Sequence, residues 1–348
     1  MGPVVGIIAN PVSARDIRRV VANAASLQIA DRANIVLRVL AALAACGVDE
    51  VLMMPERGGI RGHVLRGIER SRNQGEARFP NVAYLDMPVT GTVQDTERAS
   101  RLMRQASVAA IVVLGGDGTH RAVVKECGCV PLAGISTGTN NAFPEHREPT
   151  VTGLAVGLAV TRQVPATHAF VFNKRFDISI AGRHREIALV DVAFVTDRFV
   201  GARALWRGET FRELFVTFAD PESIGMAAVA GLLQPVGRRE AGGLMVSLGP
   251  ADSCSTVLRA PIAPGLVVAV GVEGWRSMPV GVPFSPKLAA GSIALDGERE
   301  LSFSEDDEVS ITLVAHAFRT IDAAAVMRFA ATQGLMRTEV MTRIAAPV

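Results

Sequence analysis

Lysine is almost missing from this chain. Lys125, Lys174 and Lys287 are the only three in 348 residues, so arginine carries nearly all of the positive charge. Charge of one sign is missing too: 36 Lys plus Arg face 34 Asp plus Glu, a formal balance of +2. That balance excludes a dedicated nucleic-acid or membrane-surface binder, which needs a strong basic excess. Cysteine is sparse, at Cys46, Cys127, Cys129 and Cys254. Cys127 and Cys129 are too close for a zinc knuckle, and no second Cys or His pair completes a ligand set. Long apolar runs are absent although the mean hydropathy is +0.29. The best candidate, Ala260–Val272, contains Pro261 and Pro264 and stops at Glu273, well short of the roughly 20 residues a spanning helix needs. The opening MGPVVGIIANP has no basic region ahead of its apolar stretch and so does not resemble a secretory leader. Gly6 stands where a myristoylation signal needs Ser or Thr. Together these exclusions predict a soluble cytoplasmic protein with reduced thiols.

What is present is a large apolar complement, 49% of residues against 20% charged, enough for two cores of ordinary size. The first part alternates apolar runs with helical patterns. Val4–Ala9, Glu50–Met54, Val82–Leu85, Ala109–Leu114 and Pro131–Ile135 read as strands. Ala30–Cys46, Arg61–Arg72, Thr92–Gln105, His120–Glu126 and Thr150–Val160 read as helices. Alternation at this period predicts an α/β domain, a doubly wound parallel sheet with right-handed crossovers, over residues 1–163. Short strands separated by Gly, Pro and Asp follow: Ala169–Phe172, Phe176–Ile180, Leu189–Val195, Leu244–Leu248, Val257–Ala260 and Leu266–Val272, with one helix at Pro221–Leu233. They predict a mostly antiparallel β-rich second domain over 164–295. Residues 296–348 add a strand, Val309–Ala315, and a helix, Ile321–Thr332, which could return to the first domain.

Chemistry is concentrated at Leu114-Gly115-Gly116-Asp117-Gly118-Thr119-His120, between a strand and a helix. Glycines there let the backbone approach a ligand, and the N–H groups of the helix start favour an anion. An aspartate in a phosphate cradle would repel phosphate. It is tolerated where it holds Mg²⁺ or where it accepts a proton from an attacking hydroxyl. A tight turn with Asp117 as a helix cap is the plain alternative. A second polar loop, Gly134-Ile135-Ser136-Thr137-Gly138-Thr139-Asn140-Asn141-Ala142-Phe143-Pro144, follows the next strand, so both loops fall at the carboxyl edge where open α/β sheets bind ligands. There is no G-x-x-x-x-G-K-[ST], no G-x-G-x-x-G after the first strand, no G-x-S-x-G and no H-E-x-x-H. These absences set aside P-loop, classical dinucleotide, serine-hydrolase and zincin readings. His120 could reach a phosphate, although a His in a first helical turn is more often exposed.

GGDGT at Gly115–Thr119, Asn10-Pro11-Val12-Ser13 and LDGE at Leu295–Glu298 resemble the signatures of the superfamily joining NAD kinases and diacylglycerol-type lipid kinases. IIANPVSARDIRR, GISTGTNNAFP and DRFVGARALW resemble more closely the acetoin catabolism protein X group, an NAD-kinase-like family. The resemblance implies ATP in a cleft between the two domains, Mg²⁺ on its phosphates, and a homo-oligomer. Asp117 becomes the essential acid. Asn10, Gly115, Gly116, Gly118, Thr119, Gly138, Thr139 and Asn140 become nucleotide contacts, while Asn141, Asp191 and Glu298 become acceptor contacts. NAD kinases grip NAD with an Asn-Glu pair where this chain has Val190-Asp191. Loss of the amide leaves the acceptor open: NAD or another small molecule. It also keeps open a nucleotide-binding regulatory protein without transfer activity and, third, an oxidoreductase-associated NAD-binding module. Arg198, Arg203 and Arg207 suit phosphate as well as a solvated face.

Overall fold

The computed structural model describes residues 2–11, 27–75, 78–137, 141–181, 183–197 and 208–337. Among them, apolar and β-branched runs form strands and amphipathic stretches form the helices between them. The order begins β1 (Val4–Ala9), α1 (Ile29–Ala45), β2 (Glu50–Met53), α2 (Ile60–Gln74), β3 (Asn81–Tyr84), α3 (Val93–Gln105), β4 (Ala110–Gly115), α4 (Asp117–Glu126), β5 (Leu132–Ser136) and α5 (Pro149–Val160). It continues through α6 (Ala166–Ala169), β6 (Phe170–Ile180), β7 (His184–Ala188), β8 (Asp191–Val195), β9 (Phe211–Val216) and α7 (Met226–Gly231). The remainder is β10 (Gly243–Gly249), β11 (Thr256–Ala263), β12 (Leu266–Met278), β13 (Pro283–Phe284), β14 (Gly291–Leu295), β15 (Glu298–Phe303), β16 (Val309–Ile321) and α8 (Ala323–Gln333).

Two sheets organise the molecule. The first runs β3-β2-β1-β4-β5-β16-β6-β7, with β13 paired onto β16. Its members from β3 to β5 are parallel, whereas β16, β6 and β7 pair antiparallel. The second, β11-β12-β10-β9-β8-β14-β15, is antiparallel throughout. The protein is therefore mixed α/β, with a doubly wound parallel sheet followed by an antiparallel, β-rich one. The change of pattern near residue 163 marks the switch from parallel to antiparallel pairing inside the first sheet. The second sheet begins only at Asp191.

Three packing layers fix where the site lies. Val36, Val39, Leu40 and Leu43 of α1 pack on one face of the first sheet against Val5, Ile7 and Val112. Met103 of α3 and Val123 and Val124 of α4 cover the other face with Ile8, Ile111 and Val113. Phe176, Ile178, Ile311 and Leu313 of β6 and β16 meet Val192, Phe194, Phe215 and Ile293 of the second sheet. The chain leaves β1 toward β2 and β3 and later resumes on the opposite side of β1 with β4. The crevice outside the carboxyl ends of β1 and β4 is thus the switch point at which such sheets bind ligands.

Several elements differ from the sequence expectation: β7, β9, β13, β14 and β15 have no counterpart in it, and β12 and β16 each run six residues longer. The helix expected over Pro221–Leu233 shrinks to α7, because Gly225 has φ +92° and a Cβ on Gly231 would lie 2.6 Å from the Asp220 backbone. The strands expected at Ala169–Phe172 and Phe176–Ile180 are one continuous β6. Its partner β16 absorbs the irregularity, with a register shift between Val314 and Phe318 and His316 at φ +52°. Helix α4 starts at Asp117, within the glycine motif, three residues earlier than expected. No helix among the described residues is long and apolar enough to cross a membrane.

Candidate functional site

The loops that end β1, β4 and β5 converge at the switch point. After β1, the Asn10 N–H donates to Leu114 O (3.3 Å) and its side-chain amide to Thr119 Oγ1 (3.4 Å). Arg32, buried in the first turn of α1, donates to Asn10 O (2.9 Å) and Thr137 Oγ1 (3.2 Å), joining the first loop to the third. After β4, Gly116 is the N-cap of α4, and the helix start carries no side-chain cap. Among the described residues, a Cβ on Gly118 would meet nothing within 4 Å, so none of them closes over that position of the first turn. A Cβ on Gly115 would come within 2.4 Å of Thr119 Cβ, so this glycine admits the threonine that Asn10 contacts.

Asp117, the first residue of α4, is turned to the loop after β5. Its Oδ2 accepts the Ala142 N–H and its Oδ1 the Phe143 N–H, both at 2.9 Å, so the motif aspartate anchors the loop after β5. It is 7% exposed. Burial, and then the neighbouring Asp296 carboxylate, pushes it up to about 7, against the pull of the two amides and of Arg238. Each oxygen accepts one amide and keeps a further lone pair, so the carboxylate is oriented and still able to accept a proton. Asn141, in the same loop, donates to Ser136 Oγ (2.8 Å).

His120 is fully buried rather than exposed. Its Nδ1 lies 2.9 Å from Gly116 O, so Nδ1 carries the proton. Nε2 has no hydrogen-bond partner and sits where a Cβ on Gly134 would be, 2.8 Å away. Burial holds this imidazole down at about 4, so it is neutral. It packs against Phe143, with ring centroids 5.7 Å apart, and works as a spacer between α4 and β5.

The second sheet enters through the LDGE turn. Asp296, with φ +51°, directs Oδ1 at the N–H groups of Leu189 (2.9 Å) and Val190 (2.8 Å), which lead into β8. Its Oδ2 faces Arg121 Nη1 at 3.6 Å, and Arg121 also donates to Leu295 O and Glu300, each at 2.8 Å. Burial pushes Asp296 up, opposed by Arg121. Arg238, from the segment before β10, donates to Phe143 O (2.9 Å) and Ala142 O and stacks on Phe218.

Residues 5–159 match the ATP-NAD kinase N-terminal domain family, and residues 174–316 match the acetoin catabolism protein X C-terminal domain. Acetoin catabolism protein X of Cupriavidus necator is 58% identical over 342 residues, 97% of this chain and 95% of that protein. The chain belongs to the acetoin catabolism protein X family. Two solved structures resemble this family member more distantly. Yeast NADH kinase complexed with NADH is 13% identical with a TM-score of 0.48, covering 98% of this chain and 90% of that one. A diacylglycerol kinase from Bacillus anthracis str. Sterne is 12% identical with a TM-score of 0.42, covering 92% and 96%.

In this family member Asn10, Gly115, Gly116, Asp117, Gly118, Thr119 and Asn141 all lie at or follow the carboxyl ends of the adjacent strands β1, β4 and β5. Gly138, Thr139 and Asn140 lie outside the described residues, as do Arg198, Arg203 and Arg207. Asp191 is 4% exposed, and its Oδ1 accepts the Gly297 N–H (3.2 Å). Val190 beside it is fully buried. Both therefore pack within the turn that Asp296 ties together. Glu298 opens β15 and lies close enough for its charge to act on Arg121. Sequence reasoning missed Asp296, Arg121, Arg32 and Arg238. Two of them left a signal: Asp296 sits in the quoted LDGE, and Arg121 stands four residues after Asp117, one helical turn on. Arg32 and Arg238 left none, since only the tertiary fold brings them to the loops.

Proposed function

We propose that this protein is an ATP-dependent phosphotransferase that transfers a phosphoryl group to a hydroxyl of NAD or another small molecule. The observation that carries the proposal is Asp117. It is a buried carboxyl poised near neutral pH at the sheet's switch point, beside an uncapped helix start where none of the described residues closes over Gly118. A general base is most effective when its protonation changes near the working pH, and such a group contributes ~10²–10⁴ in rate.

ATP fits the residues present: Gly116 and Gly118 leave backbone amides open to phosphate, and Thr119 and Asn10 supply polar side chains at the rim. Mg²⁺ fits less directly. Among the described residues no group of three or more His, Cys, Asp or Glu could hold a metal ion. Mg²⁺ needs few protein ligands and would be carried by the nucleotide's phosphates, whose charge it would offset. The chain's own part is to orient. Ala142 and Phe143 fix the Asp117 carboxylate, the α4 amides hold phosphate, and Asp117 takes the acceptor hydroxyl's proton as the new O–P bond forms and the bond from the γ-phosphorus to the bridging oxygen breaks, releasing ADP.

Val190, buried and apolar, offers no amide at the start of β8, which keeps the acceptor open between NAD and another small molecule. Without a fitting acceptor the same site would serve a regulatory nucleotide-binding protein. The discriminating experiment offers ATP, Mg²⁺ and a panel of hydroxyl acceptors to the wild type and to Asp117→Asn. Phosphoryl transfer by the wild type alone, with nucleotide-induced thermal stabilisation in both, is the expected outcome. Equal transfer by both sinks the kinase reading, and stabilisation without any product favours the regulatory one.

A further inference from the structure

We propose that Arg238 is a positioning residue for Asp117, acting through the Ala142–Phe143 peptide, and that Lys174 fastens the segment that delivers it. The proposal rests on the reading of Asp117 as the proton acceptor and extends it to a residue from the other half of the chain.

The Ala142–Phe143 peptide is engaged at both ends. Its carbonyl accepts from Arg238 Nη2, while its N–H donates to Asp117 Oδ1 at 2.9 Å. Arg238 Nη1 holds the next carbonyl, Phe143 O, at 2.9 Å. A cation pulling on the carbonyl polarises the amide and strengthens the bond its N–H makes to the carboxylate. Guanidinium and carboxylate are thus joined through one peptide instead of touching. The stack of Arg238 on Phe218, 4.1 Å from the ring centroid, fixes the guanidinium plane from the opposite side.

The segment bearing Arg238 belongs to the approach to β10, yet it is fastened to the first sheet. Lys174 on β6 is 8% exposed, and its Nζ donates to Gly237 O (3.2 Å), Glu240 O (2.7 Å) and Gly242 O (2.7 Å). Three carbonyls converging on one ammonium hold residues 237–242 in a single curve. Lys174 touches neither Asp117 nor the loop after β5 in any of these bonds, so its influence on the carboxylate runs through Arg238. The other titratable groups around Asp117 are Asp296 of the LDGE turn, which Arg121 partly neutralises, and the neutral His120 on its own helix, while Glu145 and Asp220 act on Arg238 itself.

The test is a carbon-13 NMR titration of the Asp117 carboxyl in the full chain without nucleotide, comparing the wild type with Arg238→Gln, Arg238→Lys and Lys174→Gln. Arg238→Gln keeps a donor for a carbonyl and removes the charge, and the titration midpoint should rise by about one pH unit. Arg238→Lys, which keeps the charge but loses the fork, should fall between the two. Lys174→Gln should shift the midpoint the same way by a smaller amount. A midpoint in folded Arg238→Gln equal to the wild type's overturns the proposal. If that variant does not fold, an unchanged midpoint in Arg238→Lys together with Lys174→Gln overturns it equally. The readout is independent of turnover. A shifted midpoint in a chain that transfers no phosphate leaves this relation standing while the kinase reading fails, and Asp117-dependent transfer with an unmoved midpoint does the reverse.

Discussion

At the scale of single residues, Asp117 and His120 are neighbours on α4 with opposite responses to pH. The Asp117 carboxyl is raised from 3.8 to about 7 on folding, so between those values the folded state keeps a proton that the unfolded state has lost. Its contribution to stability therefore declines as pH rises through that window and is level above it. His120 is lowered from 6.5 to about 4, so its contribution grows as pH rises from about 4 to 6.5. The two largely cancel in the wild type. Asp117→Asn removes only the first, and the variant should gain on the wild type between pH 5 and 8 by about 2–3 kcal/mol. Urea denaturation at several pH values measures this, and a constant difference would show that Asp117 is not raised. Asp117 was legible in the sequence because a carboxylate within a glycine cradle is chemically out of place. The burial of His120 was not, because it depends on Gly134, fourteen residues downstream on the next strand, leaving room for the ring.

At the scale of elements, the site is a set of strand ends whose loops interlock through glycine. Gly118 and Gly115 separate the two uses of glycine. Gly118→Ala adds, inside a helix, a Cβ that meets none of the described residues, so stability should hold or rise by up to about 1 kcal/mol. ATP binding by calorimetry should nevertheless weaken by ~tenfold or more if phosphate lies against that backbone. Gly115→Ala forces a Cβ against Thr119 and should cost about 1–3 kcal/mol. Unchanged ATP affinity in Gly118→Ala would place the phosphate elsewhere. The parallel strands and their helices were readable from periodicity, as β1, β4 and α1 illustrate, because buried parallel strands are apolar throughout. The return of the C-terminal strand toward the first part of the chain was an expectation, but the membership of β6 in the first sheet was not readable. Its alternating pattern says antiparallel and half-buried, and nothing in it names the neighbour.

At the scale of the whole molecule, buried charges stitch the two sheets together at the crevice. Arg121 on α4 reaches Asp296 and Glu300 of the second sheet, while Arg238 reaches back from that sheet to the loop after β5. Removing one partner of such a pair strands the other in low dielectric. Arg121→Met should cost about 3–5 kcal/mol by denaturant unfolding, and adding Asp296→Asn should recover part of it. No recovery would mean that Arg121 acts by packing alone. The scarcity of lysine fits this arrangement. Guanidinium groups can hold several carbonyls and carboxylates at once, and this crevice uses Arg32, Arg121 and Arg238 in that way.

The central claim is that Asp117 accepts a proton during phosphoryl transfer from ATP. The most direct measurement is the pH dependence of γ-phosphoryl transfer, from about pH 5.5 to 8.5, in the wild type and Asp117→Asn with Mg²⁺ and a panel of hydroxyl acceptors that includes NAD. The account predicts wild-type transfer that climbs with pH, bends near 7 and levels off, with no transfer by the variant. Transfer that is flat across the range, or that survives in Asp117→Asn, would contradict it.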